Sequence, residues 1–175
     1  MSFSHTSSWA QQPQKNFIAA LITSQLAGLI MAVVIMIVFT LFLGKGPIYP
    51  VQVIGSTIFG ESALHGFHLG AFITGLVLHQ SVALAWGFVF AICAKIFNLE
   101  TVKASIGLGL IVALVSMLDT YLFVPAVMNA LHGVDIWNRE VPIFWNWAAH
   151  VVFGLSYALF PKVRDLLTIK RFSPH

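Results

Sequence analysis

Apolar residues are concentrated in four long stretches of the chain, and the charged residues lie almost entirely in the short segments between them. The four stretches cover residues 17–43, 69–94, 104–128 and 144–160. A helix needs about 20 mainly apolar residues to cross the hydrocarbon core of a bilayer, and about 17 is the lower limit. The pattern therefore predicts four transmembrane helices. The last is the shortest, and Trp145 and Trp147 at its start are typical of an interfacial anchor.

The two ends of the chain differ from this pattern. Residues 1–15 contain Ser, Gln and Pro but no basic n-region and no small-residue cleavage site, so we expect a loose cytoplasmic tail that is not a removable signal peptide. Residues 166–175 form a second, basic tail. The remaining residues, 16–165, have room for one membrane domain. The predicted fold class is all-α: a polytopic membrane four-helix bundle.

The segment between the first two spans, residues 44–68, is too apolar for a solvated linker. Pro47 and Pro50 end the first helix, and apolar residues then alternate with polar ones. This pattern favours a short interfacial helix that lies over the mouth of the bundle. The segment could be a lid over a cavity, a docking surface for a partner or simply a membrane-embedded cap, and we prefer the last.

The spans also resemble one another in pairs. Residues 28–36 in the first span are similar to residues 109–117 in the third, and the residues from His79 onward align with those from His150 onward. This predicts a tandem repeat of two helical hairpins, with a pseudo-two-fold axis along the membrane normal. The aligned positions also carry small residues four apart, which allow close helix contact and recur in unrelated membrane helices. The predicted packing residues are Gly28, Ala32, Ala83, Gly87, Gly109, Ala113, Gly154 and Ala158.

Composition and charge agree with a membrane protein. Hydrophobic residues make up 58% of the chain and charged residues only 9%, against about 25% in soluble domains. The net charge of +3 does not indicate nucleic-acid binding, because only Lys45 and Arg139 lie outside the tails and the middle loop. The positive-inside rule then places both termini in the cytoplasm, with lipid headgroups as partners of the basic face. The basic residues on that face are Lys15, Lys95, Lys103, Lys162, Arg164, Lys170 and Arg171.

A family resemblance begins in the loop after the first span. It is carried by residues 50–56 (Pro-Val-Gln-Val-Ile-Gly-Ser) and by residues 76–79 (Leu-Val-Leu-His), with Phe59-Gly60, Gly66 and Leu69-Gly70 between them. These residues resemble a family of small, uncharacterised bacterial four-span membrane proteins, whose pattern runs from Pro-Leu-Gln-x-Ile-Ala-Ser to a Leu-His in the second span. Pro125 and His150 also fit this pattern. The resemblance implies the fold but no activity, and we expect a bacterial inner membrane.

Three ionisable side chains are predicted to lie deep inside the spans, where a charge costs about 3 kcal/mol or several times that. At about 1.5 Å per helical residue, His79, Asp119 and His150 lie about 10 to 15 Å below the outer ends of their helices. They therefore share one layer in the outer half of the bilayer. We predict that Asp119 contacts His150 or His79, because a charge-assisted hydrogen bond would offset the desolvation of both groups.

Several functions could follow from this layer. His79 and His150 could be the axial ligands of a haem b, or the two histidines and Asp119 could hold a divalent metal ion. An Asp-His pair could also pass protons or hydrogen-bond a quinone headgroup. Alternatively, the cluster could fix helix register and bind no cofactor, which is our default expectation.

Two further sites are candidates near the membrane surface. His65 and His68 precede the second span three residues apart, a spacing that puts them on one face of a helix. They are weak candidates for an external metal contact and could equally be interfacial residues without a ligand. The loop before the fourth span contains Trp137, Arg139 and Trp145, which suit either headgroup anchoring or the docking of a membrane partner.

The sequence contains no Walker lysine loop, no Gly-x-Ser-x-Gly elbow and no His-Glu-x-x-His motif, so enzyme activity is not expected. Cys93 is the single cysteine, which excludes a disulfide within one chain. We predict a non-catalytic accessory or structural subunit of a larger membrane complex, such as an energy-transducing one, with other subunits or further copies as partners. The alternatives are a small haem- or quinone-binding electron-transfer protein that uses His79 and His150, and an oligomeric transporter.

Overall fold

Helices form nearly all of the chain that the computed structural model describes, residues 12–169, and these residues include no strand. A 3-10 turn follows α2 at Gly60–Leu64, a π-helical turn at Asp119–Phe123 joins α4 to α5, and a second 3-10 turn at Ser156–Leu159 joins α7 to α8. The helices are α1 (Pro13–Phe42), α2 (Tyr49–Phe59), α3 (Leu69–Ile96), α4 (Val102–Leu118), α5 (Val124–His132), α6 (Ile136–Glu140), α7 (Ile143–Leu155) and α8 (Phe160–Ile169).

The described residues confirm the all-helical prediction, and four helical segments are long and apolar enough to cross a membrane, as a multi-pass membrane protein requires. The third and fourth segments are longer than predicted, because the helices continue through polar residues whose long side chains can reach the interface. Residues 13–15 of the predicted N-terminal tail, Lys15 among them, lie in α1, and α8 extends into the predicted C-terminal tail. Residues 1–11 and 170–175 of the predicted tails lie outside the described residues. The spans are Pro13–Phe42, Leu69–Ile96, Val102–His132 and Ile143–Leu167.

Local sequence signals explain where several helices begin and end. Pro13 occupies the first turn of α1, where its missing N–H costs nothing. The side chain of Thr101 accepts a hydrogen bond from the backbone N–H of Ala104 and caps α4. Gly133 adopts a left-handed conformation with φ of 70° and ends α5. The turn between α3 and α4 uses Asn98 at φ of 48°, a conformation that asparagine tolerates better than most residues.

The spans are arranged in a ring. The first span, α1, packs on α3 and also on α7, and α4 packs on α7 and also on α3. The smallest residues lie where the helices approach most closely: a Cβ added to Gly28 would lie 2.9 Å from the Cβ of Ala83, and one added to Gly109 would collide with the carbonyl oxygen of Gly154. All the predicted packing residues are buried except Ala158, which is half-buried.

Aromatic side chains fill the bundle towards α8. The ring of Phe90 from α3 stacks on Tyr157 with 4.0 Å between centroids, and Phe160 packs edge-on against Phe90. The Tyr157 hydroxyl donates a hydrogen bond of 3.0 Å to Oγ of Ser24, whose own hydroxyl bonds to the carbonyl of Ala83. These contacts connect α1, α3 and the 3-10 turn that follows α7. The buried phenol also has a hydrogen-bond partner, as a polar group in an apolar core requires.

The segment after the first span folds back over the bundle, and α2 occupies the place where a short helix was predicted. Its backbone lies directly against α3, since a Cβ on Gly55 would collide with the carbonyl of Ala71 and a Cβ on Gly75 with the carbonyl of Val51. Gln52, which is 1% exposed, donates from Nε2 to the carbonyl of Gly66 at 2.8 Å and also to that of Ala63. We call residues 49–64 the cap.

Candidate ligand cavity

A cavity of about 180 Å³ lies between the four spans and under the cap. Most of its wall is apolar. The apolar side chains include Met31 of α1, Ile54 of α2, Val82 of α3, Val124 of α5 and Phe153 of α7. The polar and ionisable side chains of the lining are Thr57, His79, Trp86, Ser116, Asp119, Thr120, Trp137 and His150. All four spans therefore contribute side chains to one partly open cavity with a few polar groups.

The structure brings His79, Asp119 and His150 to this same cavity, from α3, the π-helical turn and α7. Their hydrogen bonds are not the predicted ones. Nε2 of His79 bonds to the carbonyl of Gly28 at 2.9 Å, and Nδ1 of His150 bonds to the carbonyl of Asn146 at 2.8 Å. Asp119 lies close enough to His150 for a charge interaction, but the predicted carboxyl-imidazole hydrogen bond is not among those of the described residues.

Asp119 accepts its hydrogen bond from Trp86, through Nε1 of the indole and Oδ2 of the carboxyl group at 2.5 Å. The sequence did not indicate this role for Trp86, which lies in the part of the second span that aligns with the fourth. A signal was present, because an indole N–H in the middle of a membrane span needs an acceptor and Asp119 is the acidic residue of the neighbouring span. The bond joins the second span to the third.

The π-helical turn explains how Asp119 reaches this position. Pro125 has no N–H, and its ring would clash with the carbonyl of Tyr121 in a regular α-helix. The wider turn at Asp119–Phe123 removes this clash, and the N–H of Val124 bonds to the carbonyl of Asp119. Turns of this kind occur frequently at functional sites. The third span continues beyond it to His132, so Asp119 lies near the middle of the span, deeper than predicted.

Trp137 was predicted either to anchor the loop at the membrane surface or to dock a partner, but it turns inward and lines the cavity. Its Nε1 atom is buried and has no hydrogen-bond partner within residues 12–169. A buried N–H without a partner costs about 1 to 3 kcal/mol, so a ligand that accepts this hydrogen bond would recover that cost. Trp137 is therefore a candidate ligand contact that the sequence did not indicate.

The cavity does not suit a haem. Its volume of about 180 Å³ lies below the ~300 Å³ at which pockets begin to enclose drug-sized ligands, and a haem b is larger than these. Within residues 12–169, no group of three His, Cys, Asp or Glu side chains is placed to hold a metal ion. The polar groups therefore fit a small organic molecule better than either cofactor.

His65 and His68 do not share a helix face as predicted, because α3 begins only at Leu69. His68 is the N-cap residue of that helix: its Nδ1 accepts a hydrogen bond of 3.0 Å from the N–H of Ala71, and its ring packs against Phe59. The lone pair of Nδ1 is therefore occupied by the hydrogen bond that caps α3 and is not available to a metal ion.

A polar network fastens the outer side of the cap to α6. The Tyr49 hydroxyl donates to Glu140 at 2.7 Å, and Arg139 donates to both Glu140 and Glu61. Burial, together with the Glu140 hydrogen bond, raises the pKa of Tyr49 to about 12. Burial opposes ionisation of Glu140, but its hydrogen bonds and the charges of Arg139 and Lys45 outweigh this and lower its pKa. A neutral phenol therefore donates to an ionised carboxylate across the physiological range.

The inner side of the cap lines the cavity through Ile54 and Thr57. The carbonyl of Thr57 also accepts a hydrogen bond of 3.1 Å from Nε2 of His132 at the end of α5. The cap is thus tied to α3, α5 and α6, and it forms the roof of the cavity. These contacts fit two of the roles predicted for this segment, a membrane-embedded cap and a lid over a cavity.

No protein family model, no characterised protein and no solved structure matches this chain. The family resemblance carried by residues 50–56 and 76–79 therefore stays a prediction.

Proposed function

We propose that this protein is a membrane protein that binds a small, largely apolar organic ligand between its spans, and that it does so without catalysing a reaction. The cavity between the four spans and the cap is the observation that supports this proposal. Ligand sites combine an apolar wall with a few placed polar groups, as this cavity does. Ionisable residues within membrane spans are expensive and are commonly retained for function, and His79, Asp119 and His150 all line this one space.

A quinone-type headgroup is the ligand class that we favour. A single substituted ring is compatible with a cavity of about 180 Å³, and such molecules dissolve in the bilayer from which the spans are accessible. The ring would lie against apolar residues such as Val82 and Phe153, while its oxygen atoms would reach the polar groups. The protein would then be a membrane protein that binds a quinone-type electron carrier, either to store it or to transfer it to another protein.

Filling the cavity tests the proposal. We expect Val124→Phe to weaken the binding of tetramethylhydroquinone by at least about tenfold, because small changes in apolar bulk shift binding in a hydrophobic pocket by roughly 10- to 200-fold. Val127→Phe is the matched control, since Val127 lies one turn along α5 and is 42% exposed. Isothermal titration calorimetry on detergent-solubilised protein measures both affinities. Equal affinities in the two variants, or no binding to the unsubstituted protein, would contradict the proposal.

We also propose that the bundle is a tandem pair of hairpins with both termini in the cytoplasm of a bacterium. The ring order supports a two-fold relation, because exchanging α1 with α4 and α3 with α7 maps each helix contact onto another. The close approach of Gly28 to Ala83 matches that of Gly109 to Gly154, at positions that the internal repeat aligns. The basic residues of the tails and the middle loop support the orientation.

The second candidate function is a non-catalytic accessory subunit of a larger membrane complex. The exposed side of α6 supports it: Asn138 and Arg139 face outward beside the cap, while Trp137 of the same helix faces the cavity. A partner that docks on this side would be able to sense whether the cavity is filled.

Native mass spectrometry of the protein extracted from its own membrane tests this second function. We expect a complex in which the 19.2 kDa chain is joined by a stoichiometric second subunit. Asn138→Trp should reduce the fraction of complex, whereas Lys103→Trp, at the start of α4, should leave it unchanged. A protein that is found only as a monomer would contradict the accessory function.

A further inference from the structure

We infer that the cavity selects the reduced, hydroquinone form of its ligand over the oxidised quinone form. This inference rests on the proposed function. It follows from which atoms around the cavity can donate hydrogen bonds and which can only accept them, since a hydroquinone carries two O–H donors and a quinone carries only carbonyl acceptors.

The two histidine rings are fixed as acceptors towards the ligand. A main-chain carbonyl only accepts, so the nitrogen that bonds to it must carry the proton: Nε2 in His79, which bonds to Gly28, and Nδ1 in His150, which bonds to Asn146. In a neutral imidazole the other nitrogen then has a lone pair and no proton. Nδ1 of His79 and Nε2 of His150 make no hydrogen bond among the described residues and can each accept one.

Among the remaining polar groups of the cavity, hydrogen-bond acceptors also outnumber free donors. The carboxyl group of Asp119 already uses the Trp86 N–H and retains a second oxygen. The hydroxyl hydrogens of Ser116 and Thr120, two residues that line the cavity, are engaged by the carbonyls of Ala113 and Met117, at 2.8 and 2.9 Å. Oγ1 of Thr120 also accepts a hydrogen bond of 3.0 Å from Nδ2 of Asn146. Neither hydroxyl therefore has a hydrogen left to donate to a ligand.

Nε1 of Trp137 is a buried donor without a partner among the described residues. The hydroxyl of Thr57 can either donate or accept a hydrogen bond. A phenolic hydroxyl suits this set, because it can donate to an imidazole nitrogen and accept from the Trp137 N–H at the same time. A quinone carbonyl can accept a hydrogen bond from Trp137, but it cannot hydrogen-bond to the unprotonated nitrogen of either histidine, because both atoms are acceptors. Each such encounter leaves a buried acceptor unpaired, which lowers the affinity of the oxidised form.

A cationic ligand would also donate to these acceptors. The wall of the cavity opposes it, because Met31, Ile54, Val82 and Phe153 surround the polar groups with apolar surface. Transfer of a charge into such surroundings carries a large desolvation cost, whereas a neutral hydroquinone avoids it. The geometry therefore favours a neutral donor.

Anaerobic titration calorimetry with tetramethylhydroquinone and tetramethylbenzoquinone tests the inference on the unsubstituted full-length protein. We expect the hydroquinone to bind at least tenfold more tightly, a difference of about 1.4 kcal/mol. His150→Phe, which removes one of these acceptors and keeps an aromatic ring, should lower the ratio of the two affinities. His65→Phe is the matched control, because His65 is exposed and lies outside the cavity.

The outcomes separate the inference from the proposed function. Equal binding of the two forms, or tighter binding of the quinone, overturns the inference and leaves the ligand cavity standing. Absence of binding by both forms overturns the proposed function as well. Tighter binding of benzylammonium than of the hydroquinone shows a cation site and also overturns the inference. The comparison on the unsubstituted protein keeps the test valid even if His150→Phe fails to fold.

Discussion

Gly109→Ala is expected to lower the free energy of unfolding by about 3 kcal/mol, at the upper end of the usual cost of overpacking. The new Cβ would collide with the carbonyl oxygen of Gly154 and lie 2.8 Å from the Cβ of Tyr157. Neither neighbour can move away by changing a rotamer, because one is backbone and the other is the first atom of a fully buried side chain. The whole of α7 would have to shift away from α4.

Gly107→Ala is the matched control for this prediction. Gly107 lies in the same helix, but no atom is within 4 Å of a Cβ added there. We expect it to stabilise the protein by about 0.5 to 1 kcal/mol, since glycine is less favourable than alanine within a helix. Resistance to unfolding by sodium dodecyl sulfate, followed by circular dichroism, measures both variants. Equal stability of the two would show that α4 and α7 are not in backbone contact at Gly109.

Trp86→Phe is expected to destabilise the protein by about 3 kcal/mol, because it removes the hydrogen-bond donor of a carboxyl group near the middle of a span. A buried acceptor that loses its only donor typically costs about 1 to 3 kcal/mol, and more where the acceptor is charged. Asp119 has no side-chain hydrogen-bond donor other than Trp86 among the described residues. The third span would have to open or take up water to solvate it.

A double-mutant cycle isolates this bond from the lost packing of the indole. Trp86→Phe combined with Asp119→Leu should be more stable than the sum of the single variants predicts, by about 1 kcal/mol or more. Trp147→Phe serves as the control, because Trp147 is 41% exposed and makes no hydrogen bond among the described residues. Strict additivity in the cycle would show that Trp86 contributes only its volume.

Much of the architecture follows from local sequence. Four apolar segments of sufficient length must form helices in a bilayer, because every backbone polar group there needs a partner within its own segment. Residues such as Gly28 and Gly109 could be identified as packing positions because only small residues allow close helix approach. The prolines at 47 and 50 similarly indicated that the first span ends and a short helix follows.

The details of the candidate site were harder to predict. The approximate depth of His79, Asp119 and His150 along their helices follows from the helical rise, and this count placed them near one another. It carries no information about the direction in which each side chain turns. The predicted Asp119-imidazole hydrogen bond failed for this reason, since both rings found main-chain carbonyls within reach and the carboxyl group found Trp86.

The sequence by itself determined the four spans, the cap helix and the approximate level of the polar residues, because these depend on local composition and helical geometry. Only the tertiary structure decided that Trp86 pairs with Asp119, that Trp137 turns inward, and that the cap roofs a cavity. These features depend on how the helices rotate about their axes and on the π-helical turn at Asp119–Phe123. Rotation is set by the packing of all the spans together, which no single segment specifies.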